Sequence, residues 1–148
     1  MRLSRQKDKG TRFETDTVRY LRGELADERP ERTALHGSHD CGDIGHIYAH
    51  GFRGIAECKC HERVTASLVE RWRAQTVDER DNADADFGLL IVSVRNHGVG
   101  ESVVHVTLRD LARVALPVEL GNGTDGNADD AWVTMTLAEC CRLMKADS

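Results

Sequence analysis

Gly42-Asp43-Ile44-Gly45-His46-Ile47-Tyr48-Ala49-His50-Gly51-Phe52-Arg53-Gly54-Ile55-Ala56-Glu57-Cys58-Lys59 reads as two strands, about 43–49 and 53–59, folded back on a turn at His50-Gly51. In a strand, side chains at i and i+2 point to the same face. Glu57 and Lys59 therefore project together, while Ala56 and Cys58 face the opposite side and pack. The turn returns Asp43, fourteen positions before Glu57, to the neighbourhood of that glutamate. A glutamate and a lysine on one face of an otherwise apolar strand need a task or a partner. A surface ion pair is the plain explanation, and a chemical site is the other. Asp40, three residues before Asp43, takes Asp43's place if the first strand begins sooner.

Outward from this hairpin, a helical pattern runs from about Thr11 to Ala26, with Phe13, Val18, Leu21 and Leu25 near one face. A loop at Asp27–Arg32, around Pro30, leads to a strand candidate at about 32–37. A second helix is expected from Val64 to about Arg80, with Leu68, Trp72, Gln75 and Thr76 sharing a face and Glu70, Arg71, Arg73, Asp78 and Glu79 on its other sides. After the acidic stretch 81–86, Phe87–Val94 is a continuous apolar run of the kind found in a strand covered on both faces. Ser102–Val106 is a further strand candidate. Thr107-Leu-Arg-Asp110 has the chemistry of a helix start, for a short helix to about Ala115. Residues 117–130 have loop composition; Ala131–Met135 resembles a strand and Thr136-Leu-Ala-Glu139 opens a last helix. The segments around Thr107 and Thr136 read as one strand–cap–helix unit used twice. The element order implies an α/β fold, a mixed sheet with helices on its faces.

The chain has 148 residues, 40% apolar and 30% charged, which fits one domain with one core. No run reaches the roughly 18–20 apolar residues that span a bilayer, so the expected location is the cytoplasm, at the nucleoid when nucleic acid is engaged. Five cysteines without a secretory leader are expected to be reduced, with adjacent Cys140 and Cys141 in the core. Residues 1–12 hold Arg2, Arg5, Lys7, Lys9 and Arg12 against Asp8 alone, a local +4 in a chain of net −5. An acidic body with a basic arm suits an enzyme that holds a metal among carboxylates and reaches phosphates with its arm; a solubilising tail is the alternative.

Asp43 and Glu57, with the backbone carbonyl of Cys58, would supply hard oxygen ligands suited to Mg²⁺, with Mn²⁺ as a substitute. Such a metal polarises a scissile phosphate and lowers the pKa of a bound water, and Lys59 can orient that water and offset transition-state charge. Asp…Glu-X-Lys on consecutive strands resembles the signature of the PD-(D/E)XK nucleases. Lys9-Gly10-Thr11-Arg12-Phe13-Glu14 and Gly37-Ser38 are similar to segments of the archaeal-type Holliday junction resolvases. The residue before Asp43 is Gly42 rather than proline, which removes no ligand.

The resemblance covers about residues 9–95. It implies a restriction-endonuclease-like mixed sheet, with 1–10 as a basic arm, 10–95 as the catalytic core and 96–148 as an extension. It implies Glu14 as a third carboxylate, Ser38 as a phosphate contact and Gln75 as a polar residue over the site. The activity implied is Mg²⁺-dependent DNA endonuclease action on four-way junctions during recombination, by a homodimer, with Arg5, Lys7, Lys9 and Arg12 on junction phosphates. A restriction-like or repair nuclease shares the same site. A non-catalytic nucleic-acid-binding or zinc-binding module is the reading from another class. Cys41, Cys58, Cys60 and His61, with His39, His46 and His50 nearby, offer soft ligands at spacings unlike common zinc sites.

Overall fold

The computed structural model describes residues 2–34, 42–116 and 131–145. Its elements are α1 (Arg2–Leu25), β1 (Glu31–Arg32), β2 (Ile44–Ala49), β3 (Phe52–Lys59), α2 (Ala66–Asn82), β4 (Phe87–Val92), a 3₁₀ turn (Val99–Glu101), β5 (Val103–Thr107), α3 (Leu108–Ala115), β6 (Trp132–Thr136) and α4 (Leu137–Met144). The six strands lie in chain order in one mixed sheet. Only β3 and β4 run parallel, joined by the α2 crossover, and every other neighbouring pair is antiparallel. The α/β class read from the sequence is the class observed.

The helices divide between the two faces. Phe13, Val18 and Leu21 of α1, Val114 of α3, and Leu137, Cys140, Cys141 and Met144 of α4 pack on one face, against Ile44, Ile47, Ala56, Leu89, Ile91, Val104 and Val106. On the other, Trp72 of α2 meets Leu90 and Val92, with Leu68 and Val69 beside it. β4 is buried along its whole length because it is central and covered from both sides. Burying a side chain such as Leu21 or Ile47 contributes about 1.5–3 kcal/mol. The Phe87 ring fills the space beside its cross-strand partner Gly54, where any Cβ would run into it.

His50 and Gly51 both carry positive φ, 51° and 88°, the primed two-residue turn that matches strand twist. Thr107 and Thr136 cap α3 and α4 through their hydroxyls, bonded to the N–H groups of Asp110 and Glu139 at 3.1 Å each. The two strand–cap–helix units thus form as read, their strands paired antiparallel with Val103 opposite Thr136.

Three expectations are corrected. α1 begins at Arg2 rather than Thr11, so the basic arm is the first part of a helix. Gly10 lies inside it over open space, and helix-favouring Arg, Gln and Lys neighbours outweigh the ~1 kcal/mol a glycine costs. α2 runs two residues beyond Arg80, to Asn82, and Glu79 is buried rather than solvent-facing. The first strand is Glu31–Arg32; the rest of the expected 32–37 stretch falls mostly outside the described residues, as does the loop 117–130. No helix among the described residues is long and apolar enough to cross a membrane.

Candidate active site

The turn at His50-Gly51 sets the β2–β3 register: Ala49 opposite Phe52, Tyr48 opposite Arg53, Ile47 opposite Gly54. Continued unbroken, that register would set Ile44 against Glu57 and send Asp43 to the face of Cys58. A bulge between Ile44 and Ile47, with His46 at φ 58°, shifts the pairing by one residue, so Ile44 meets Ala56. Asp43 is thereby aimed at Glu57. A one-residue shift exchanges the faces of a strand, and here it selects which residue meets the glutamate.

Asp43 is held from both sides. Its N–H donates to the Ala56 carbonyl at 3.0 Å, and its own carbonyl accepts from the Thr33 N–H at 2.8 Å. Its carboxylate accepts from the Cys58 N–H at 2.8 Å. The Cys58 N–H and the Ala56 carbonyl both point toward β2, so the Cys58 carbonyl points to that same edge, where the backbone pairing with β2 ends. Burial, followed by the Glu57 charge beside it, raises the Asp43 pKa to about 7.

Glu57 is 3% exposed. One oxygen lies 3.2 Å from the Lys59 ammonium, and the other, Oε2, has no hydrogen-bond donor among the described residues while both carboxylates are ionised; a protonated Asp43 hydrogen-bonds to Glu57. An unsatisfied buried carboxylate oxygen is costly, and such an atom asks for a proton or a cation. Lys59 lies on the same face, its Nζ 5.9 Å from the Trp72 ring. Cys58 points the other way into the core under α1, and burial drives its thiol pKa well up. The same-face reading of Glu57 and Lys59 and the opposite-face reading of Cys58 both describe the structure.

The other sequence candidates are placed less uniformly. Glu14 sits on α1, and its charge reaches Asp43. Its carboxylate is engaged by Arg32 of β1, at 2.9 and 3.1 Å. Gln75 donates its side-chain amide to the buried Glu79 at 2.9 Å and makes no hydrogen bond to Asp43, Glu57 or Lys59. Arg5, Lys7, Lys9 and Arg12 are exposed, and Arg5, Lys9 and Arg12 follow helical i, i+4, i+7 spacing on α1. Ser38, Asp40, Cys41 and His39 lie outside the described residues.

Sequence reasoning missed the bulge, Arg32 and Glu79. Arg32 read as loop charge because its partner Glu14 lies on another element, and Glu79 as helix surface because its burial is set by how α2 packs on the sheet.

Among the described residues, no three His, Cys, Asp or Glu side chains converge as a ready metal cage. His50 bonds the Leu143 carbonyl at 2.8 Å, His46 approaches Glu31 at 3.4 Å, and the His61 ring meets Trp72 at a tilt of 50° with ring centres 4.9 Å apart. A surface groove of about 780 Å³ between α2 and Trp132 contains none of the site residues. What the structure brings together is two adjoining carboxylates, one backbone carbonyl edge and one lysine. That donor set fits a hard cation that keeps several of its waters, as Mg²⁺ does. No protein-family model, curated protein or solved structure matches this chain.

Proposed function

We propose that this protein is a Mg²⁺-dependent DNA endonuclease of the PD-(D/E)XK type, with the four-way junction as its favoured substrate. One observation carries the chemistry. Asp43 and Glu57 adjoin in a buried site, Glu57 Oε2 lacks a hydrogen-bond donor among the described residues while both carboxylates are ionised, and Lys59 lies 3.2 Å from the other oxygen.

Asp43, Glu57 and the Cys58 carbonyl would hold the ion; bound Mg²⁺ supplies phosphate polarisation and a more acidic water. The residues themselves do the rest. The Cys58 N–H fixes one Asp43 oxygen, so the carboxylate is oriented before any ligand arrives. Lys59 supplies a positive charge beside the position where charge builds on the phosphate, and its ammonium can hold the attacking water by hydrogen bond. Trp72 and the α2 face limit water behind Lys59. Glu14, braced by Arg32, adds negative potential from the α1 side and is an orienting neighbour in this reading.

The junction preference rests on the resemblance of the Lys9–Glu14 and Gly37-Ser38 segments. Two coordinated nicks need two sites, so the active form in this reading is a symmetric homodimer. Cleavage of labelled four-way junctions, flaps, linear duplex and single strands, with Mg²⁺ and with EDTA, tests both levels. Paired symmetric nicks near the junction centre are the expected result. Preference for plain duplex would remove the junction assignment, and no cleavage of any DNA would remove the nuclease reading.

A further inference from the structure

Beyond Lys59 the chain leaves the sheet at Cys60, and beyond Val92 it leaves at Ser93, whose N–H donates to the Lys59 carbonyl at 2.9 Å. These are the carboxyl ends of the two parallel strands, the place where open α/β sheets bind ligands. Two clefts of about 230 and 130 Å³ meet there and share Lys9, Cys60 and Ser93 as a wall. Arg12 lines the first, and His61 and Arg95 line the second.

The charges are arranged unevenly for a chain of net −5. Lys9, Arg12 and Arg95 face Asp16 and Glu62. Glu62 is engaged with Lys9 at 3.7 Å and Asp16 with Arg19 at 3.9 Å, both pairs at the surface. Arg12 and Arg95 have no ion-pair partner among the described residues. The backbone also presents Arg95 outward. It stands in the turn closed by the His97 N–H on the Val94 carbonyl at 3.2 Å, with Asn96 at φ 64° completing the bend. His61 is exposed while its ring rests on Trp72, the same ring that lies near Lys59.

We infer that this cleft binds a backbone phosphate of the DNA strand adjacent to the one held at Asp43, Glu57 and Lys59, with Arg95 as its main contact and Lys9 and His61 beside it. This rests on the nuclease reading and extends the phosphate surface from α1 to the β4–β5 turn. The clefts adjoin along a shared wall, and Lys9, Arg12, His61 and Arg95 on their rims are exposed, which suits a strand running across them. Cationic contacts of this kind position the strand and carry no base information.

The test is fluorescence anisotropy of a labelled junction and a labelled duplex with the full chain in Ca²⁺, across a salt series. Removing one cation from a phosphate lowers the magnitude of the salt slope by about 0.9, so Arg95→Ala should lower it by about 1 and Lys9→Ala/Arg95→Ala by about 2. The expected weakening is about 3–10-fold for the single variant at moderate salt. Arg95→Lys should keep the slope, and Arg142→Ala, on exposed α4 surface, should match the parent. If the parent binds DNA and both alanine variants bind with the same slope, the cleft assignment is overturned and the nuclease reading stands. If the parent binds no DNA at low salt, the nuclease reading falls and the cleft assignment with it. Inorganic phosphate is the second probe: saturable phosphate binding to the parent that Arg95→Ala abolishes, with DNA binding unaffected by the same substitution, would make this a small-anion site and overturn the strand assignment.

Discussion

Replacing Asp43 by Asn should stabilise the metal-free protein, and more so at pH 8 than at pH 5. Asn keeps the shape and an acceptor for the Cys58 N–H, and it removes a charge set beside buried Glu57. The Asp43 pKa rises from 3.8 to about 7 on folding. Between those values the folded protein keeps a proton that the unfolded chain has released. The stability this proton linkage provides is therefore full below about pH 4, falls as pH rises, and is gone above about pH 7. Three pKa units at 1.36 kcal/mol each set a ceiling of about 4 kcal/mol, of which about 2–3 kcal/mol is lost between pH 5 and pH 8. In a chain of this size that difference is about 5–10 °C in Tm. Thermal unfolding in EDTA, parent against Asp43→Asn at both pH values, reads it directly. The variant's advantage should grow by that amount from pH 5 to pH 8. An advantage that is absent, or equal at the two pH values, would refute the claim that two adjoining carboxylates strain this site.

Magnesium should offset part of that advantage by stabilising the parent. At 10 mM, with a dissociation constant of order 1 mM, binding adds about 1.4 kcal/mol to the parent, seen as a rise of about 3–6 °C in Tm that Glu57→Gln lacks. Asp110, buried at 1% exposure, accepts from Arg80 at 3.1 Å and from the Gly88 N–H at 3.0 Å. Asp110→Ala removes a buried partner of Arg80, which keeps its contact with exposed Asp81 at 3.0 Å, and takes the acceptor from the Gly88 N–H; it should lower stability by about 2–4 kcal/mol in urea melts, whereas an exposed pair such as Lys145–Glu24 should change it by under ~1 kcal/mol. Gly54→Ala forces the Phe87 ring off the sheet and should cost about 1–3 kcal/mol by the same melts, with near-parent stability as the result that contradicts the packing.

Local signals carried the reading of the hairpin well. Alternation placed Glu57 and Lys59 on one face, and His50-Gly51 is a turn by backbone chemistry alone. The paired threonine caps and the burial of Cys140 and Cys141 were legible for the same reason. Long-range effects were not. The bulge at Gly45-His46 decides that Asp43 rather than Ile44 meets Glu57, and nothing in those two residues announces it beyond their tolerance of positive φ. Glu79 and Asp110 look like helix-surface acids in sequence. Their burial follows from how their helices pack in the fold, and for Asp110 from Arg80 thirty residues earlier. The helix reads as starting after Gly10 because a glycine breaks the pattern locally, while its neighbours carry the helix through.

The central claim is that Asp43, Glu57 and Lys59 form a metal-dependent phosphodiesterase centre. Its most direct test is the rate of strand cleavage in a labelled four-way junction, parent against Glu57→Gln, over a Mg²⁺ titration. The parent should cut with Mg²⁺ and stop in EDTA, and Glu57→Gln, folded by its thermal melt, should lose at least ~100-fold in rate. A folded Glu57→Gln protein that cuts at the parent's rate, or a parent that cuts equally well in EDTA, would contradict it.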